Sequence, residues 1–92
     1  MTKTVRVRIK GVVQGVGFRY WIVREAEFKG LRGWVRNRAD GTVEALLSGP
    51  AAQVDAMTEA CRVGPRSARV TDLTVAESTD AVPKGFTQRA TL

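Results

Sequence analysis

Gly11, Gly15 and Gly17, the arginine at position 19 and an asparagine at position 37 are the groups in this chain whose type and spacing suit chemistry on an oxyanion. Glycine tolerates positive φ and has no Cβ, so successive backbone N–H groups can turn inward and form a concave anion-binding nest. The stretch Gly11-Val12-Val13-Gln14-Gly15-Val16-Gly17-Phe18-Arg19 leaves an alternating strand pattern and runs into a helical one. The helix then adds its unpaired first-turn N–H groups and its partial positive end to the same spot. Arg19 supplies a permanent, fork-shaped charge that suits a phosphate. Gln14, Gly15, Val16, Gly17, Phe18 and Arg19 are therefore the candidate phosphate-binding stretch. Asn37 falls near the end of a strand pattern, where β-propensity disfavours it. Its neutral amide, both donor and acceptor, can hold a water in place without adding charge.

Each of these residues also has a plainer explanation. The glycines permit a tight strand-to-helix crossover, Arg19 can cover apolar neighbours with its stem, and Asn37 can help form the turn that follows it. Two nucleotide-binding readings are excluded. No Lys-Ser or Lys-Thr pair follows the loop, and Gly15-Val16-Gly17 lacks the third glycine of a dinucleotide fingerprint.

The residue types that are missing narrow the chemistry further. The chain has no histidine, which removes the commonest general base and metal ligand, and with them Ser-His and Cys-His nucleophile pairs. No metal site and no cofactor are expected. Cys61 is the only cysteine, so no intrachain disulfide can form, as suits a reducing compartment. Glu25, Glu27, Asp55 and Glu59 lie on helical stretches where pairing with neighbouring cations or exposure to solvent explains them, and no two carboxylates are placed as an acid-base dyad. Fifteen Lys and Arg against nine Asp and Glu give a net charge of +6, which favours an anionic partner, either a small phosphate compound or a nucleic acid.

The elements that must position these groups follow from periodicity. At 92 residues the chain is expected to form one domain, 1–92, and its 43% hydrophobic content against 26% charged argues against disorder. No apolar run approaches the length of a membrane span and Met1-Thr2-Lys3 leads straight into a strand, so a cytoplasmic protein is expected, with no membrane partner.

Thr4 to Lys10 alternates Val5, Val7 and Ile9 with Arg6, Arg8 and Lys10, a strand with one dry face. A helix of about three turns should cover it with Phe18, Trp21, Ile22, Ala26 and Phe28, stopping at Gly30. Leu31 to Arg38 and Thr42 to Ser48 read as a hairpin turned at Asp40-Gly41, with Val43, Ala45 and Leu47 inward. After Gly49-Pro50 a second helix places Val54, Met57 and Cys61 on its apolar side and stops at Gly64-Pro65. Ala68, Val70, Leu73 and Val75 form a strand whose phase slips between Val70 and Leu73, as at a β-bulge. Phe86 to Leu92 forms a short last strand. That order predicts an α+β, ferredoxin-like βαββαβ sandwich: an antiparallel sheet with both helices on one face, plus the short C-terminal strand.

Arg32, Trp34, Arg36 and Arg38 share one parity and Arg6, Arg8 and Lys10 another, so the uncovered sheet face is basic and carries an aromatic. Sheet-type RNA binders have that character, which makes non-enzymatic anion or RNA binding the alternative. The third strand, however, has no stacking aromatic, so a solvated face is favoured and nucleic acid is not expected as the partner.

The glycine stretch Gly11 to Arg19, taken with Gly33-Trp34-Val35-Arg36-Asn37-Arg38-Ala39-Asp40-Gly41-Thr42-Val43-Glu44, closely resembles the two signature stretches of the acylphosphatases. Gly64-Pro65 followed by Ala68-Arg69-Val70 resembles that family's third landmark. The likeness covers nearly the whole chain, although Gln88 stands where the family's last strand usually has an apolar residue.

The resemblance implies hydrolysis of the carboxyl-phosphate bond of acyl phosphates, with Arg19 holding the phosphate and Asn37 orienting the attacking water. It also implies a small-molecule acyl phosphate as partner, inorganic phosphate as product or competitive inhibitor, a monomer, and a reaction without metal. An acyl phosphate has a good carboxylate leaving group, so positioning and charge stabilisation can suffice.

Overall fold

The computed structural model describes residues 1–92 as β1 (Thr2–Val12), α1 (Phe18–Phe28), β2 (Arg32–Asn37), β3 (Val43–Pro50), α2 (Ala51–Val63), β4 (Arg69–Glu77) and β5 (Phe86–Gln88). The five strands form one sheet in the order β4-β1-β3-β2-β5. The four strands of the βαββαβ unit pair antiparallel, and β5 adds a parallel edge beside β2, Val35 lying opposite Gln88.

Alternation sends Val5, Val7 and Ile9 of β1, Val43, Ala45 and Leu47 of β3 and Val35 of β2 into one core with Phe18, Ile22 and Ala26 of α1 and Val54, Met57 and Cys61 of α2. Both helices thus cover the same face. The phase slip expected in β4 is present: Lys10 pairs with Asp72 and Gly11 with Val70, leaving Thr71 as the extra residue. Phe28 departs from expectation, being 88% exposed. The stripe Phe18, Ile22, Ala26 steps by four residues, and two further residues turn a helix by about 200°, which carries Phe28 to the outer side.

The outer sheet face is only partly solvated. Trp34 is 2% exposed, beneath the guanidinium groups of Arg36, Arg89 and Arg6 at 4.6, 4.8 and 5.5 Å from its ring centroid. Beside it Glu44 is 1% exposed. Its Oε1 accepts from Arg36 Nε at 2.8 Å and Arg38 Nη1 at 3.4 Å, and its Oε2 from Arg8 Nη2 at 3.3 Å and Arg6 Nη1 at 3.4 Å. Arg6 also pairs with Asp80, and Arg8 with Asp40. Arg6, Arg8, Arg36 and Arg38 are folded down over their own sheet.

Candidate active site

The glycine loop crosses from β1 to α1. Gly15 and Gly17 have φ of 74° and 79°, the left-handed region that only glycine enters at little cost. Gly17 is also the N-cap of α1, so no side chain caps the helix and its first-turn N–H groups are left to face the loop's concavity. Phe18 anchors that end. It is 1% exposed and meets Trp21 edge to face at 5.5 Å.

A cavity of about 130 Å³ lies between this loop and the end of the sheet. Gly15, Gly17, Phe18, Arg19 and Tyr20 form its loop and helix side, while Val13, Asn37 and Gln88 form its sheet side. Arg19 is half-buried there and takes part in no ion pair of the chain. Asn37 continues the inward parity of Val35, so its side chain is on the helix side of β2 while Arg36 and Arg38 alternate outward. Its Oδ1 is buried and accepts no hydrogen bond from the protein. A buried acceptor at a cavity wall is ready to take a proton donor from whatever enters.

Of the expected stretch, Gly15, Gly17, Phe18 and Arg19 border the cavity with Asn37, whereas the side chains of Gln14 and Val16 do not. Val16 packs against the core. Gln14 Nε2 donates to Arg38 O at 2.8 Å and Thr42 O at 3.0 Å, tying the loop to the β2–β3 hairpin that bears Asn37. Asp40 shapes that turn, its Oδ1 accepting from Thr42 N at 3.0 Å and Thr42 Oγ1 at 2.6 Å. Those two bonds hold its carboxyl below the ordinary carboxylate value, with Arg8 and Arg38 adding to the effect.

Val13, Tyr20 and Gln88 are cavity residues that pattern reasoning missed. Only Gln88 carried a signal, a polar side chain at the inward parity set by buried Phe86.

No carboxylate borders the cavity, and no cluster of three or more Cys, Asp or Glu is arranged to hold a metal ion. Cys61 is buried in the core away from the site, and that burial, followed by the charge of Glu25, pushes its thiol up to about 12, too high to serve as a nucleophile. Three larger depressions lie elsewhere, of about 340 Å³ over Arg6, Arg8 and Lys10, about 560 Å³ beside the first strand residues and about 190 Å³ between Arg62 and the bulged part of β4. None borders the glycine loop. What the smaller cavity offers is backbone donors, one guanidinium and one free amide acceptor around a space of oxyanion size.

Comparison with known proteins agrees with that chemistry. The acylphosphatase family model matches residues 5–88. An acylphosphatase of Rhodospirillum rubrum is 58% identical over 90 residues, covering 98% of this chain and 99% of that one. Among solved structures, an acylphosphatase from Coxiella burnetii superposes with a TM-score of 0.91 at 32% identity, covering 96% of this chain and 93% of that one. An acylphosphatase from Bacillus subtilis gives 0.82 at 39% identity, covering 100% and 98%. With a family match across both glycine loop and hairpin, and relatives of like length and fold, the chain belongs to the acylphosphatase family.

Proposed function

We propose that the chain performs its family's reaction, hydrolysis of the carboxyl-phosphate bond of acyl phosphates, with the phosphate held by Arg19 and the Gly15–Arg19 backbone and the water oriented by Asn37. The observation that carries this division of roles is the buried, unengaged Oδ1 of Asn37 across the same small cavity from Arg19. The loop N–H groups and the guanidinium are donors only, so they suit the phosphoryl oxygens. The amide oxygen suits a water O–H, and holding that water against the phosphorus converts a bimolecular encounter into a positioned one.

In the reaction the water oxygen bonds to phosphorus as the bond from phosphorus to the acyl oxygen breaks, and that bond's electron pair leaves with the carboxylate. The water's proton passes to a phosphoryl oxygen, so no protein base is required. Negative charge spread over the phosphoryl oxygens in the transition state is met by donors already in place. A carboxylate is stable as it leaves, so neither a general acid nor a metal is needed. Inorganic phosphate, which retains the recognised oxygens, should compete with substrate.

The outer sheet face does not favour RNA binding as strongly, because Trp34 is covered by arginines and offers no exposed ring for a base to stack on.

Asn37→Ala tests the assignment. Its kcat should fall by about 10²–10³, the order of loss when a single preorganised polar group is removed from such a site. Inhibition by inorganic phosphate should be nearly unchanged. A collapse of phosphate binding with the fold intact would transfer Asn37 from the water to the phosphate.

A further inference from the structure

The proposed function, on which this inference rests, leaves one contact of the attacking water unassigned. A water has two O–H bonds and two lone pairs, and an ordered one typically has about three of the four engaged. One lone pair must point at phosphorus, one O–H is accepted by Asn37 Oδ1, and the other O–H lies toward the phosphoryl oxygen that takes its proton. The second lone pair is free, and only a hydrogen-bond donor can occupy it. Without such a donor the water can swing about its bond to Asn37 and lose its alignment with phosphorus.

The donor must come from the wall at which the water is held. Val13, Asn37 and Gln88 form that wall. Val13 is apolar and buried, and the nitrogen of the Asn37 amide diverges from the oxygen that meets the water. Gln88 has the required group. In the parallel pairing of β5 with β2 it lies opposite Val35, so it shares the helix side of the sheet with Val35, with buried Phe86 and, two residues further along β2, with Asn37. Its side chain is exposed and takes part in no hydrogen bond of the chain. Both of its N–H donors are therefore available to a water at Asn37 Oδ1.

We infer that Gln88 is a second water-orienting residue, its Nε2 donating to the attacking water whose O–H is accepted by Asn37. The two amides then fix the remaining lone pair on phosphorus. Arg19 and the loop N–H groups keep the phosphoryl oxygens, so Gln88 acts on the attack and not on the grip.

The test follows hydrolysis of benzoyl phosphate, inhibition by inorganic phosphate and urea unfolding in the wild-type protein, Gln88→Met, Asn37→Ala and the double variant. Methionine keeps the length of the side chain and has no donor. In Gln88→Met kcat should fall about three- to tenfold, the worth of one hydrogen bond. Phosphate inhibition should stay within about twofold, and the urea midpoint should not move, because the side chain is exposed and bonds nothing in the chain. In the Asn37→Ala background the same substitution should change kcat by less than about twofold, since the water that both residues address is already released. An unchanged kcat in Gln88→Met, or losses that simply multiply in the double variant, overturns the assignment of Gln88 and leaves that of Asn37 standing. Weakened phosphate inhibition in Gln88→Met also overturns it, by moving Gln88 to the phosphoryl oxygens. A wild-type protein that does not hydrolyse benzoyl phosphate, or an Asn37→Ala variant with full kcat, overturns the proposed function and this inference with it.

Discussion

At the residue scale the proposed function separates holding from positioning. Arg19 is the one cation bordering the cavity, and its planar fork can engage two phosphoryl oxygens at once. A lysine in its place keeps the charge but presents it as a point. Arg19→Lys should therefore lose about 10²–10³ in kcat/KM, close to the loss in Arg19→Ala, with phosphate inhibition weakened in parallel. Steady-state kinetics with an acyl phosphate and phosphate titration measure both. Near-wild-type turnover in Arg19→Lys would mean that the loop requires only a positive charge there. The residue types at positions 19 and 37 were legible from the chain itself, because an arginine after a glycine loop and an asparagine in a strand both stand out locally. Tyr20 was not, since it falls outside both the glycine stretch and the apolar stripe of the helix, and only the fold brings it to the cavity.

At the element scale, what matters is how a loop between β1 and α1 is kept in register with a hairpin that follows it in the chain. Gln14 forms that tie through two hydrogen bonds to backbone carbonyls. Those carbonyls have other partners, Arg38 O accepting from Gly41 N and Thr42 O from Arg38 N, so the hairpin itself survives loss of the amide. Gln14→Leu should thus cost only about 1–2 kcal/mol of stability, the worth of one or two hydrogen bonds, while kcat falls further than phosphate affinity because Arg19 and Asn37 are no longer held together. Urea unfolding and steady-state kinetics on the same variant separate the two effects, and an unchanged kcat would show that the loop and hairpin keep their register without the tie. The hairpin, both helices and the bulge were readable from local periods and turn residues. Phe28 misled because a helical stripe was extended into the final turn, two residues past Ala26 and so onto the opposite side of the helix. The tie made by Gln14 depends on a long-range contact that no local pattern encodes.

At the scale of the whole molecule, the chain carries a large positive excess and yet keeps one sheet face packed, and Glu44 is what permits it. Strand alternation predicted that the arginines would share a face, but cross-strand register decided that they would converge on one carboxylate. Burial raises the Glu44 carboxyl, but hydrogen bonds from Arg36 and Arg8 and the charges of Arg36 and Arg6 outweigh it and hold the group below its ordinary value. A carboxyl lowered in the folded state contributes stability that is present above its unfolded value, about 4.3, and is lost as pH falls through the folded value. Protonation also removes acceptors from guanidinium groups that then repel one another over Trp34. Glu44→Gln should accordingly destabilise the protein at pH 7 by about 2–3 kcal/mol, somewhat less than the about 3–5 kcal/mol of a fully buried broken pair because the arginines reach water. The gap between the variant and the wild type should then narrow as pH falls below about 4, because the wild type loses the same charge by protonation. Comparing the two proteins isolates Glu44 from Asp40, which is retained in both and is also held low. Chemical denaturation from pH 7 down to pH 3 measures the gap directly, and a difference that stays constant across that range would mean that the arginines are held over the sheet by Trp34 and packing rather than by the Glu44 charge.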